Sequence, residues 1–143
     1  ILKPDAGMVL LGWNLDSVLR AELHKSQELL SLFEPAYPDE DSLLEIVNSN
    51  ELRQRKRLRN AFGLPGYWIQ PAMASQLIKR IDRLETHLLK LGRGFPTIKT
   101  LGIDGLLNLH YKEIGAEILM PPLALAINDQ QTSLTRGRPS NFS

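Results

Sequence analysis

Residues 71–91, PAMASQLIKRIDRLETHLLKL, carry the clearest periodicity in the chain. Their large apolar side chains recur at spacings of three and four, as one face of a helix requires; they are Met73, Leu77, Ile81, Leu84, Leu88 and Leu91. Pro71 suits the first helical turn, where its missing N–H costs nothing, and Gly92 suits the position after the last turn. The stretch therefore predicts one long amphipathic helix.

Similar spacings on either side predict further helices. One covers residues 14–33, and a second begins after the capping residue Asp39 and continues to residue 62, with residues 48–50 either interrupting it or only weakening it. Two more are predicted over 98–120 and 123–128.

The predicted fold class is therefore all-α. We find no β-hairpin signal and no internal repeat. The sequence predicts a compact bundle of about four to five helices. It forms a single domain over residues 1–130, and residues 131–143 form a polar tail that we expect to be flexible.

Composition narrows the classes of function. The chain has 143 residues, of which 43% are hydrophobic and 23% charged, with a net charge of +1. The absence of Cys excludes disulfide scaffolds, thiolate–metal sites and cysteine nucleophiles. No apolar run reaches the roughly 20 residues that cross a bilayer, and no signal-peptide pattern is found. We expect a cytoplasmic protein that does not enter the membrane.

The small net charge hides an uneven distribution of charge along the chain. Residues 1–50 hold 3 basic and 9 acidic side chains, residues 51–100 hold 11 basic and 3 acidic, and residues 101–143 hold 3 basic and 4 acidic. The basic middle indicates a polyanion or an acidic partner surface. Alternatively, the acidic first third folds back and neutralises it.

Two groups of cations are the candidate nucleic-acid-binding residues. The first group is Arg53, Arg55, Lys56, Arg57 and Arg59. The second group, on the polar side of the predicted 71–91 helix and just after it, is Lys79, Arg80, Arg83, Lys90 and Arg93. Arginine forks match phosphate geometry, so both groups suit a nucleic-acid backbone. A solvated face paired with the acidic first third, or an acidic protein partner, remains open for the first group.

Other features carry weaker signals. Tyr67, Trp68 and Phe95 flank the basic segments and either stack bases or close the ends of a helical core. The tail segment 136–139, Arg-Gly-Arg-Pro, resembles the arginine–glycine core of minor-groove peptides. His24, His87 and His110 lack metal-ligand spacing. With no catalytic constellation in the sequence, we expect no enzymatic activity, no metal and no cofactor.

Three segments together suggest a family. They are the predicted helical run 43–62 with its Arg-rich end, the turn at 63–68, and the cationic helix over 71–91. In these the chain resembles the small subunit of a type I-D CRISPR effector complex, which corresponds to the C-terminal part of the large subunit.

The resemblance implies a non-catalytic helical subunit. Its basic faces would contact the DNA backbone of an R-loop and the guide RNA–DNA heteroduplex, while guide pairing supplies specificity. Its partners would be other effector subunits and further copies of itself. The alternative is a helical scaffold domain that binds an acidic protein partner without nucleic acid.

Overall fold

The computed structural model describes residues 5–15, 18–24, 27–31, 39–81, 83, 85–92 and 94–126. Strands outnumber helices in these residues, so the predicted all-α helical bundle is wrong. The strands are β1 (Met8–Leu10), β2 (Gly12–Asn14), β3 (Leu19–His24), β4 (Gln27–Ser31), β5 (Gln54–Asn60), β6 (Tyr67–Ile69), β7 (His87–Lys90), β8 (Thr97–Thr100), β9 (Ala116–Met120) and β10 (Ala124–Ala126). The helices are α1 (Glu40–Val47), α2 (Pro71–Arg80) and α3 (Ile103–Leu107).

Six strands form one mixed sheet in the order β4-β3-β5-β9-β1-β6. β1 and β9 are parallel, and the other neighbours in this sheet are antiparallel. Two smaller pairs complete the described strands: β2 runs parallel to β10, and β7 forms an antiparallel hairpin with β8. The β3–β4 and β7–β8 hairpins are features that the sequence analysis did not predict.

The predicted helix over 14–33 is replaced by strands. In β3, Leu19 and Ala21 are buried while Arg20 and Glu22 are half-buried, which is the period-two alternation of a strand with one face on the core. Leu23, which the helical spacing placed in the core, is 51% exposed. β1 lies between β9 and β6 inside the sheet, and all three of its residues are buried, so both faces of the sheet are covered there.

The helix predicted over 71–91 is confirmed only in its first half. α2 begins at Pro71 as expected, buries Leu77, and ends at Arg80, where the Ile81 N–H closes the last turn. The chain then forms β7, in which Leu89 is buried and Leu88 is 69% exposed. The predicted burial of Leu88 is therefore wrong, because a strand presents alternate residues to opposite faces.

The remaining helices are shorter than predicted or absent. α1 follows its Asp39 cap, whose Oδ1 accepts from the Ser42 N–H at 2.9 Å, and ends at Val47, so residues 48–50 do interrupt it. The 98–120 segment forms part of β8, all of α3 and β9. The described part of 123–128 contains β10. The predicted tail lies outside the described residues.

The core lies between the large sheet and the two helices α2 and α3. Leu77 of α2 and Leu107 of α3 belong to the same buried cluster as Met8, Leu58 and Ile118 of the sheet. Tyr111, after α3, completes this layer and is 1% exposed. None of the described helices has the length and apolar character that a bilayer span needs.

Candidate functional site

The first group of candidate cations belongs to β5 and not to a helix. Arg53 directly precedes β5, and the strand carries the other four. Strand alternation places Lys56 on the same side as buried Leu58, and Arg55, Arg57 and Arg59 on the opposite side. The structure therefore groups three of the arginines on one face of the large sheet, beside strands β3 and β9.

Arg55 is held by carboxylates. Its Nε lies 3.1 Å from Glu117 Oε2 on the neighbouring β9, and its Nη2 lies 3.8 Å from Asp5 Oδ1. The Arg55 side chain is only 15% exposed. The positive charge of Arg55 is therefore largely neutralised by carboxylates of the same chain.

Arg59 is neutralised in the same way from the other side. Its Nη2 lies 2.5 Å from Glu22 Oε2, and its Nε lies 3.9 Å from Glu28 Oε1. Glu28 also pairs with Arg20, whose Nη1 donates to Asn60 Oδ1 at 2.9 Å. These carboxylates all come from the acidic first third, which supports the folding-back interpretation for this part of the surface.

The other three members of the first group differ from one another. Arg53 donates from Nη2 to the Val47 carbonyl oxygen at 2.7 Å, which closes the segment after α1. Lys56 is half-buried, and Arg57 is exposed. Neither Lys56 nor Arg57 has a carboxylate within salt-bridge distance in the described part of the chain.

The second group is distributed over different elements. Lys79 and Arg80 form the end of α2, where cations suit the helix C-terminus. Arg80 pairs with Glu113, and its hydrogen bond is the main cause that lowers the pKa of that carboxyl. Arg83 and Lys90 are exposed, the latter on β7. Arg93 and the 136–139 segment lie outside the described residues.

The aromatic residues do not form one stacking platform. Tyr67 is 49% exposed on β6, next to half-buried Trp68. Phe95 contacts Arg20 instead, with the guanidinium carbon 6.0 Å from the ring centre. Phe95 therefore lies beside an ion-paired arginine. It does not belong to the core cluster, although closing the end of the core was one of the two roles predicted for it.

A groove lies beside α1. We call it the α1 groove, and its volume is about 730 Å³. It is lined by Trp13, Ser42, Glu45, Ile46, Ser49, Glu51, Leu52, Gln54, Lys56, Met120 and Pro121. It thus runs between α1, the segment before β5 and the end of β9.

The lining of the α1 groove combines apolar and acidic groups. Trp13, Ile46 and Met120 are half-buried, and the Trp13 ring is fixed because its Nε1 donates to the Leu119 carbonyl at 3.1 Å. Leu52 is 85% exposed. The charged lining groups are two exposed glutamates, Glu45 and Glu51, and Lys56.

α1 itself is weakly covered by the rest of the fold. It carries four large apolar residues in eight, yet none of its residues is buried, and Leu44 is 50% exposed. Its first turn adds Glu40 and Asp41, and it has no basic residue in its last turn. The Ser42 N–H bond is the main cause that lowers the pKa of the capping Asp39 carboxyl. One flank of the groove is therefore an amphipathic acidic helix.

The sequence analysis did not identify the α1 groove. It assigned the apolar residues of 43–47 to a buried helix face, and it named only Lys56 among the groove residues as a binding candidate. The available signal was the acidic character of residues 39–45 beside this apolar run. Sequence spacing does not reveal that the face remains uncovered.

The described residues contain no group of three or more His, Asp or Glu side chains that could hold a metal ion. No family model, curated protein or solved structure matches the chain. The geometry of its surfaces is therefore the basis for a functional proposal.

Proposed function

We propose that this chain is a non-catalytic interaction domain, which binds a partner protein in the α1 groove. The partner presents an apolar side chain flanked by Lys or Arg. The observation that carries the proposal is the exposure of α1, which has four large apolar residues and buries none of them. The proposal keeps the interaction-domain alternative from the sequence, but with a basic partner instead of an acidic one.

The energetics of a short helix favour a covering partner. Helices of eight residues are marginal by themselves, and packing of their apolar face normally supplies their stability. Covering exposed apolar area is favourable by about 25 cal/mol per Å². A partner that covers Leu44, Ile46 and Leu52 would gain this free energy and stabilise α1.

The charge of the α1 groove defines the partner. Glu45 and Glu51 line it and Glu40 and Asp41 lie on the same helix, whereas Lys56 is the one cation among the lining residues. A partner with basic residues beside its apolar anchor is steered to this surface, and an acidic partner is repelled.

Selection from a random peptide library displayed on phage tests this proposal. We expect enriched peptides to carry a large apolar residue with Lys or Arg beside it. Glu51→Lys should remove that preference, while Glu85→Lys, an equal charge change at an exposed residue outside the groove lining, should preserve it. Enrichment of acidic peptides, or no enrichment, would reject a basic partner.

Nucleic-acid contact is the second candidate function. Lys56, Arg57, Lys79, Arg83 and Lys90 have no carboxylate partner in the described part of the chain, and four of them are exposed. Backbone contact by these residues would be independent of sequence and sensitive to salt. A role in a CRISPR effector complex would rest on this activity, although the segments that suggested it form strands and a shorter helix here. For either function we propose a cytoplasmic location.

Fluorescence anisotropy with a random single-stranded DNA tests the second candidate. Charge reversal of exposed Arg57 to Glu should weaken binding for every sequence if the backbone is contacted. A matched reversal at exposed Glu85, to Lys, should strengthen it slightly through the net charge. Absence of binding at low salt would remove this candidate and leave the interaction domain.

A further inference from the structure

The second surface of interest is the free edge of the large sheet at β4. Within the described residues β4 pairs with β3 on one side only, so its other side presents backbone N–H and C=O groups without a neighbouring strand. Gln27, Glu28, Leu29 and Leu30 are all exposed. Such an edge is a template for another strand.

β4 lacks the usual protections of an edge strand. It contains neither Lys nor Pro, and the irregularity in its pairing with β3 lies at the hairpin end, between Glu22 and His24. By contrast, the opposite edge strand β6 has three residues and lies between Pro65 and Pro71. Natural sheets block unwanted pairing with short strands, Pro and charged side chains. The one charged residue of β4 is Glu28, and its carboxylate is already paired with Arg20 and Arg59.

We propose that β4 pairs antiparallel with β4 of a second copy of this chain, centred on Leu29. In that register Leu29 faces its own symmetry mate, Glu28 faces Leu30, and Gln27 faces Ser31. No like charges stand directly opposite each other, and each Glu28 is already paired with Arg20 and Arg59 of its own sheet. The two large sheets then form one continuous sheet of twelve strands.

The exposed leucines of β4 explain why its partner is β4 of a second copy. Leu29 and Leu30 are 37% and 38% exposed and lie on opposite faces of the strand. Pairing about a two-fold axis covers Leu29 with Leu29 of the other copy, and it covers Leu30 with Glu28, whose charge is already paired with arginines of its own sheet. This inference uses a surface separate from the α1 groove and does not depend on the proposed function.

Sedimentation velocity over a wide concentration range tests the proposal with charge variants. We expect a monomer–dimer equilibrium for the unmodified chain. Leu29→Lys should raise the dissociation constant at least about tenfold, because it places two like charges opposite each other. Leu88→Lys, a matched change at a residue that is 69% exposed on β7, should leave the equilibrium unchanged.

Mixing Leu29→Lys with Leu29→Glu tests the register itself. Because residue 29 faces residue 29, the mixture should form a one-to-one heterodimer where each variant alone is a monomer. In the unmodified chain, β4 amides should gain protection from hydrogen exchange as concentration rises, which reports the same pairing without a variant. A monomer at every concentration, a dimer that Leu29→Lys does not weaken, or no heterodimer would overturn the proposal.

Discussion

At the scale of single residues, a buried amide network joins the sheet to α3. Asn108 Oδ1 accepts from Asn60 Nδ2 and from the Ala61 N–H, both at 3.1 Å. Its Nδ2 donates to the carbonyls of Ala61 at 2.7 Å and Asp104 at 2.8 Å. Asn108 is 8% exposed, so these bonds are made away from water and each lost partner is costly.

Replacing Asn108 by Ala should therefore destabilise the fold by about 3 kcal/mol, because buried partners lose their bonds. Urea denaturation measures the change. Asn50→Ala, at an exposed residue, serves as the control and should stay within about 0.5 kcal/mol. Equal effects of the two substitutions would contradict the role of the network.

Tyr111 makes stability sensitive to alkaline pH. Its side chain is buried and its hydroxyl has no hydrogen-bond partner in the described part of the chain. Burial, and secondarily the Asp104 carboxylate, raise the pKa of the phenol. A group whose folded pKa is raised contributes stability below its unfolded pKa, about 10, and loses it as pH rises.

Tyr111→Phe should remove this alkaline loss. At neutral pH the variant should be as stable as the unmodified chain or slightly more so, because the phenol oxygen has no partner to lose. Above about pH 10 the variant should be the more stable of the two. Denaturation curves compared across this pH range decide the matter, and a parallel decline of both proteins would show that folding does not raise the pKa of Tyr111.

At the scale of elements, the connection between β8 and α3 is tightly packed. A Cβ added to Gly105 of α3 would lie 1.6 Å from Thr100 Oγ1 and 2.6 Å from Thr100 Cβ, at the end of β8. A side chain at this position therefore forces one of the two elements to move.

Gly105→Ala should cost about 1–3 kcal/mol through this overlap. The control is Gly66→Ala, where the nearest atom to an added Cβ is 3.9 Å away, an ordinary van der Waals contact. Thermal unfolding of both variants provides the comparison. A neutral Gly105→Ala would mean that Thr100 does not pack closely against α3.

Local signals predicted some elements correctly and others wrongly for identifiable reasons. Asp39 and Pro71 marked two helix starts because capping and the fixed φ of proline act within one turn. The 71–91 pattern failed beyond residue 80 because leucines are compatible with both a helix and a strand. In β7 the buried leucine is Leu89, which lies outside the predicted helix face, and Leu88 is exposed. β5 contains one large apolar residue, Leu58, so its pairing with distant β3 and β9 determines its conformation.

At the scale of the whole molecule, the acidic first third neutralises part of the basic middle. Arg55 and Arg59 meet carboxylates from residues 5, 22 and 28 as well as Glu117. The sequence predicted the charge asymmetry and left two interpretations open. Choosing between them required the pairing of β5 with β9 and β3, which sets Arg55 beside Glu117 and Arg59 beside Glu22.

Arg59→Ala should lower stability by about 1 kcal/mol at low salt, because it leaves Glu22 and Glu28 without this partner. Arg57→Ala, on the same face of the same strand, should change stability by less than about 0.5 kcal/mol. Chemical denaturation at low and high salt distinguishes them, since salt should shrink the Arg59 effect. A larger loss at Arg57 would contradict the assignment of pairs.

The α1 groove is also a property of the whole molecule. Trp13, Ile46, Gln54 and Met120 come from three separated parts of the sequence, and only the folded chain brings them together. The sequence contributed the amphipathic segment 43–47, and the structure shows that its apolar face is not covered. This face is the reason to assign binding to the groove.

The most direct test of this assignment is an NMR titration that follows backbone amides while a short peptide with one Leu between arginines is added. We expect shifts confined to α1, residues 49–56 and the Pro121 region, with no comparable shifts for a peptide in which Glu replaces Arg. Glu51→Lys should weaken the shifts and Glu85→Lys should not. Shifts located elsewhere, equal responses to both peptides, or no response would contradict the α1 groove as the binding site.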